Sequence, residues 1–440
     1  QGVSINGNTS ATGTITGINR ALSAFKSLAY NGLDHTFKTS STTRMVIDAN
    51  SRISLSNNDS GGTGGADSTS GNTLMGAYAG LNIASGGVDN AFFGHASGNK
   101  NTTGIKNTGL GTFAGFGNRT GSANTYVGYG AGFGVDNNNH SHNTGVGYET
   151  LKAITDGSQN TTLGAEALMT ATTEIGNVAI GSDAGKLIRN DASDYNVFVG
   201  MQSGTGGTGA RNHNIAMGYR AMGSAGSQNN IGGNENIFIG SYSGNGTWAT
   251  AGSDGNTAVG YDSLSGALNG ALQNTAVGKE AMKGNTSGDY NVALGNEALK
   301  ANEGGQYNIA IGHQSMLVHT GGLRNVAIGA FAMKDTDSGS PPKASDDCVL
   351  IGYSAGGGTW ANQDCSNLIG IGTSALSGAL AGDTADGTIA IGRDALTALT
   401  SGQYNVAIGY QSMDEHLTGR ANTCLGWGTM SQSGGDTTAQ

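Results

Sequence analysis

The sequence has little proline, little cysteine and little charge. Of 440 residues, 2 are Pro and 3 are Cys, and charged residues make up 12%, about half the usual share. Three cysteines (Cys348, Cys365, Cys424) are an odd number without metal-ligand spacing, so neither a disulfide framework nor a cysteine metal site is expected. They are read as small buried hydrophobes; a Cys348–Cys365 bridge across one insertion is the alternative. A basic excess is also missing. With 21 basic and 31 acidic residues the net charge is −10, which disfavours a nucleic-acid partner. No run of 18 apolar residues occurs, so no membrane-inserting helix is expected. There is no initiator Met. The chain begins at Gln1 without a signal peptide, and we read it as a processed or partial chain.

What is abundant is glycine, 79 residues. It does not follow the three-residue spacing of collagen. From residue 72 onward a longer pattern returns twenty times, with copies at 72, 90, 107, 124, 143, 160, 177, 196, 214, 236, 256, 274, 291, 308, 325, 348, 368, 388, 405 and 422. The commonest spacing is 17 residues and the longest is 23. Clear copies run Asn177–Gly181, Asn274–Gly278, Asn325–Gly329 and Asn405–Gly409.

Numbered from the Asn, each position carries information. The fifth is Gly in all twenty copies, as a sharp corner or close backbone approach demands. The first is Asn in seventeen, the exceptions being Cys348, Leu368 and Thr388. Asn in register on stacked segments can form a ladder of amide bonds. The eighth is always Ala, Ser or Thr, and the ninth only Gly, Leu or Met.

Seventeen residues are too few for a helix-turn-helix repeat and suit a coil of two short strands and two turns. Val and Ile favour strands. The second and fourth residues share one face and the third takes the other. Because the fourth is bulky and the third small, the fourth is expected inside the coil. The third-residue face is then expected to meet neighbouring chains. Stacking would bury what one coil cannot, giving a solenoid on the order of 95 Å long at the strand spacing.

These residues resemble the head repeats of trimeric autotransporter adhesins, of the form Asn-Ser-Val-Ala-Ile-Gly; Asn325–Ala332 follows that form closely. Gly260–Leu264 and Gly409–Met413 resemble the Gly-Tyr-x-Ala-Leu variant found in phage tail-fibre proteins. The resemblance implies an all-β, homotrimeric, left-handed parallel β-roll. Adhesin heads usually repeat every 14 residues, against 17 to 23 here, which favours the fibre.

Four segments are expected: a connector at 1–56, a Gly/Ser-rich linker at 57–71, the repeat shaft at 72–430 and a tail at 431–440. Within the connector, Leu22, Phe25 and Leu28 predict a short helix over Ala21–Leu33. Arg44–Leu55 reads as a hairpin turning at Asp48–Ser51.

No catalytic constellation stands out, and no cofactor is expected. His140 and His142 with Asp136 have too few converging ligands for zinc. Asp346-Asp347 and Asp414-Glu415 are adjacent pairs; neighbours on a strand point opposite ways, so they read as surface charge rather than the acid/base pair of a glycan hydrolase. One feature recurs. Gly246-Thr-Trp-Ala249 and Gly358-Thr-Trp-Ala361 sit at equivalent places in two long coils. Insertions in solenoids gather on one face, often the binding face. Trp248 and Trp360 are therefore candidate receptor contacts, with burial over their own coils as the opposing reading.

The sequence thus points to a non-enzymatic fibre of a virus particle, attaching to a host-surface glycan or protein and joined to other tail proteins. A bacterial surface adhesin or extracellular filament subunit is the first alternative. A fibre-borne glycan depolymerase is the second, and an ice-binding role for flat ladders stays open.

Overall fold

The computed structural model describes residues 35–39, 42–47, 53–54, 71–135, 138–188, 193–205, 211–223, 233–246, 252–336, 345–360, 365–380 and 385–431. The chain divides into two units. The first holds β1 (His35–Thr39), β2 (Thr42–Ile47) and β3 (Ile53–Ser54). These form an antiparallel sheet in the order β1-β2-β3. The hairpin expected from Arg44–Leu55 is present as the β2–β3 pairing, and β1 is a partner the sequence reading had not marked. The helix expected over Ala21–Leu33 lies outside the described residues.

The second unit is a parallel β-solenoid. Twenty strands of three residues, from β4 (Thr73–Met75) to β23 (Thr423–Leu425), each occupy positions 2 to 4 of one copy of the repeat, so among the described residues a coil carries one strand and a series of turns where two strands were expected. Each pairs in parallel, without register shift, with the strand of the next coil, as in Val292↔Ile309, Ala293↔Ala310 and Leu294↔Ile311. The ladder runs openly from β4 to β23.

The corners follow from backbone sterics. The position-5 glycines have φ between 128° and 146°, a region side chains avoid. In all but the last, an added Cβ would be driven against the carbonyl of the equivalent glycine in the next coil. The other left-handed corners are in many coils built without glycine. In one coil Tyr290, Glu297 and Leu299 have φ of 57°, 55° and 50°. Isolated non-glycine residues in this region are costly; here backbone bonds to both neighbouring coils hold them, as when Glu297 N donates to Lys279 O and Leu299 N to Ser315 O, each at 2.9 Å.

The facing of the strands is the reverse of the sequence expectation. The third residue points inward: Ala179, Phe198, Ala216, Phe238, Ala258 and Leu350 are fully buried. The second and fourth point outward. Ile180, Ile239, Leu294 and Ile371 keep 37%, 38%, 47% and 37% of their surface. The reason lies in position 9. Where position 3 is large, position 9 is glycine: Phe92 with Gly98, Tyr126 with Gly132, Phe198 with Gly204, Phe238 with Gly244, Leu350 with Gly356. A Cβ at any of these glycines would strike the paired side chain. Where position 3 is small, Leu or Met usually fills the same space: Ala258 with Leu264, Ala276 with Met282, Gly370 with Leu376. In the two coils where both are small, Gly109 with Gly115 and Ala179 with Gly185, large side chains of neighbouring coils reach in, Tyr126 at the first and Leu168 and Phe198 at the second. The interior is closed by this pair of positions together, so a small third residue does not mean an outward one.

Candidate interaction surface

Two polar ladders run along the N-terminal side of the strands and fix their register, the second of them in only part of the coils. The first is the expected asparagine ladder. Asn274 N and Nδ2 donate to Asn256 Oδ1 at 3.0 and 3.1 Å, and Nδ2 also donates to Gly288 O at 2.7 Å. Asn291 repeats this on Asn274. Asn177, Asn325 and Asn405 sit in the same row, all fully buried. At Cys348 the thiol takes the amide's place, meeting Cys365 O at 3.3 Å, while Cys348 N still donates to Asn325 Oδ1 at 3.0 Å.

The second ladder runs the other way and was not read from the sequence. Its side chains lie two residues before each Asn. Ile175 N, Asp194 N, Asn212 N and Asn234 N donate in turn to Asp194, Asn212, Asn234 and Asp254 on the following coil, at 2.7 to 2.9 Å. Leu272 N reaches Asp289 and Leu323 N reaches Asp346 in the same way. The signal was the recurrence of Asp, Asn and Ser at that position, residues suited to short side-chain-to-backbone bonds.

Just past the ladders the outward positions 2 and 4 form a stripe along all twenty strands. From β16 (Val292–Leu294) to β22 (Val406–Ile408) both positions are Val, Ile or Leu throughout. Apolar side chains in an unbroken row, half in solvent, are unusual on a monomer surface. Coils longer than 17 residues take their extra length on another side, between position 10 and the inward residue three before the next Asn, as the flanking register shows at 188–193, 205–211, 223–233, 246–252, 336–345, 360–365 and 380–385. Length variation therefore enters at one corner and is greatest in the coils that begin at 214 and 325.

The remaining candidate residues are placed as follows. Trp360 is fully buried, so the expectation that it projects as a receptor contact is corrected. It sits in the core cluster with Leu350, Cys365, Leu368 and Leu376, where the Gly356 backbone leaves room beside it. Trp248 lies outside the described residues. His140 and His142 point opposite ways: His142 is exposed, while His140 is buried with Nδ1 2.9 Å from Tyr126 Oη. Burial holds the His140 imidazole down to a pKa of about 3 and pushes the Tyr126 phenol up. Asp136 lies outside the described residues. Among the described residues no group of His, Cys, Asp and Glu is arranged to hold a metal.

Asp346 accepts from Leu323 N at 2.7 Å, and Asp347 forms a two-pronged ion pair with Arg324 at 2.6 and 2.7 Å. That pair holds the Asp347 carboxyl below its usual range. Asp414 is half-buried and Glu415 exposed. The three cysteines are free thiols and buried, and burial pushes the Cys348 and Cys424 thiols up. Among the described residues no helix is long and apolar enough to cross a membrane.

No protein-family model matches the chain. No curated protein matches its sequence. The fold itself defines the class, a fibrous parallel β-solenoid.

Proposed function

We propose that this chain is the shaft of a virus-particle fibre, a phage tail fibre, working as a homotrimer that attaches to a host surface by multivalent, non-catalytic contacts. The observation that carries this reading is the outward stripe. Aliphatic residues at positions 2 and 4 stay half-exposed along the stack, in strict parallel register. A surface that repeats once per coil is matched by another surface of the same repeat, so identical parallel chains are its natural cover. The resemblance of Asn325–Ala332 to trimeric adhesin heads supports three chains.

The solenoid also suits attachment. Its interior is locked by side-chain ladders, whereas the coil lengths vary at one corner. In repeat proteins such variation falls on the binding face. Three chains present each loop three times, and weak contacts then gain avidity.

The test is sedimentation equilibrium together with electron microscopy of the full chain. A mass three times the 44.0 kDa of one chain and a filament on virus particles are expected. A monomer at micromolar concentration, or a filament on cells lacking virus, would overturn the reading.

A further inference from the structure

The first six coils differ in surface chemistry from those that follow. In their strands position 2 is Thr73, Ala91, Thr108, Thr125, Thr144 and Thr161, where the next four coils carry Val or Ile. Thr125, Thr144 and Thr161 are exposed and paired in register. Just past the corner glycine, positions 6 and 7 of the first five coils carry a continuous row of rings.

Tyr78 meets His95 at 5.7 Å and 86°, His95 meets Phe113 at 5.4 Å and 86°, and Phe113 meets Tyr129 at 6.1 Å and 84°. Tyr129 then stacks on Tyr148 at 5.6 Å and 11°. An edge-to-face contact uses the face of only one partner, so ring faces stay open along the row. Tyr78, Tyr129 and Tyr148 keep 60%, 48% and 51% of their surface.

We infer that this face, a hydroxyl row and an aromatic row on either side of the exposed Met75, Leu110 and Leu163, binds a neutral linear polysaccharide lying along the stack. Aromatic faces fit the C–H faces of pyranose rings, and threonine and tyrosine hydroxyls fit their hydroxyl groups. The ring-to-ring steps repeat along the axis, as the units of an extended glycan do. A sequence-tolerant row of rings is how proteins hold polymers of ring-shaped units. The net charge of −10 disfavours polyanions. Farther on the same pairing recurs only as a shorter patch, Thr257 and Thr275 near the ring row Tyr219, Tyr242 and Tyr261. From β16 to β22 position 2 carries no hydroxyl, and that aliphatic stretch is left to self-association. This inference rests on the attachment reading and names the ligand class.

The test is affinity electrophoresis of the full chain in gels containing mannan, xylan, dextran or hydroxyethyl cellulose. It is run for the wild type and for Tyr129→Ser/Tyr148→Ser. Serine already stands at position 6 in two other coils, as Ser182 and Ser241, so the variant keeps a coil the fold accepts. Retardation of the wild type in at least one gel is expected, with binding weakened about tenfold or more per ring lost, roughly 1.4 kcal/mol. No retardation in any gel, or equal retardation of both proteins, overturns the inference. Sedimentation of both samples separates the two readings. Trimers in both with no retardation overturn the glycan assignment and leave the fibre standing. A variant that loses the trimer but keeps its retardation makes the tyrosines an interface between copies, which also overturns the glycan assignment.

Discussion

Single atoms decide whether a coil can close. At Gly278 an added methyl would meet the Gly295 carbonyl, and φ is 138°. A Gly278→Ala chain is expected to lose at least about 1–3 kcal/mol from the backbone alone, with the collision added; urea melts of the two proteins measure it. His140 sets a different expectation. Its folded pKa of about 3 lies below the ordinary value of 6.5, so the unfolded chain takes up the proton first. The stability tied to neutral His140 is complete above pH 6.5 and is lost as pH falls from there toward 3. Its full size is of order 5 kcal/mol, at about 1.4 kcal/mol per unit. Urea midpoints measured between pH 7 and 4 should fall more steeply for the wild type than for His140→Asn. Equal slopes would remove His140 from the account. Trp360 shows how a residue can mislead. Its place in a Gly-Thr-Trp-Ala insertion was visible, but its burial depended on Leu350 and Gly356 of its own coil and Leu368 of the next.

At the scale of one coil, the governing relation is the shared interior of positions 3 and 9. Phe238 with Gly244 and Ala258 with Leu264 are two solutions in successive coils. Phe238→Ala alone should cost about 3–5 kcal/mol by leaving a cavity. Gly244→Leu alone should also destabilise, because the Phe238 ring occupies the space. The double variant reproduces the Ala-and-Leu solution of the next coil. Leucine tolerates that corner there, with Leu264 at φ 46°. A double-mutant cycle by urea melts should therefore give a favourable coupling of about 2 kcal/mol or more; additive losses would refute the shared interior. This relation marks what the sequence could tell. The period, the strands at positions 2 to 4, the glycine corner and the asparagine ladder were legible because each repeats at one position. The strand facing was not, because it depends on a reciprocal volume between two positions, and size at one position read alone gives the wrong side. The second ladder was hidden because its carboxylates, amides and hydroxyls are chemically different groups making one kind of bond.

For the whole stack the question is what limits its stability. Each coil contacts only its neighbours, so a solenoid's stability is close to a sum of coil terms and interface terms. Local changes then propagate little, and a defect in one coil leaves distant coils intact. The outward stripe breaks this locality, because burial of its aliphatic stretch between chains would couple the coils from β16 to β22 at once and make stability depend on concentration. Leu294 and Ile309 lie diagonally on neighbouring strands of that stripe, 47% and 36% exposed in the single chain. Neither side chain helps to fill the coil interior, so Leu294→Asp/Ile309→Asp should leave the monomer fold unchanged by circular dichroism. Between chains it would place six carboxylates in three copies of one apolar seam. Burying unpaired charge there costs several kcal/mol, enough to shift association by orders of magnitude. The expected result is a monomer by sedimentation, with a melting temperature that no longer rises with protein concentration, while the wild type's does. A wild-type melting temperature independent of concentration, or a variant that still sediments as a trimer, would mean that the stripe is not the seam and that the chains, if they assemble, do so through another face of the coil.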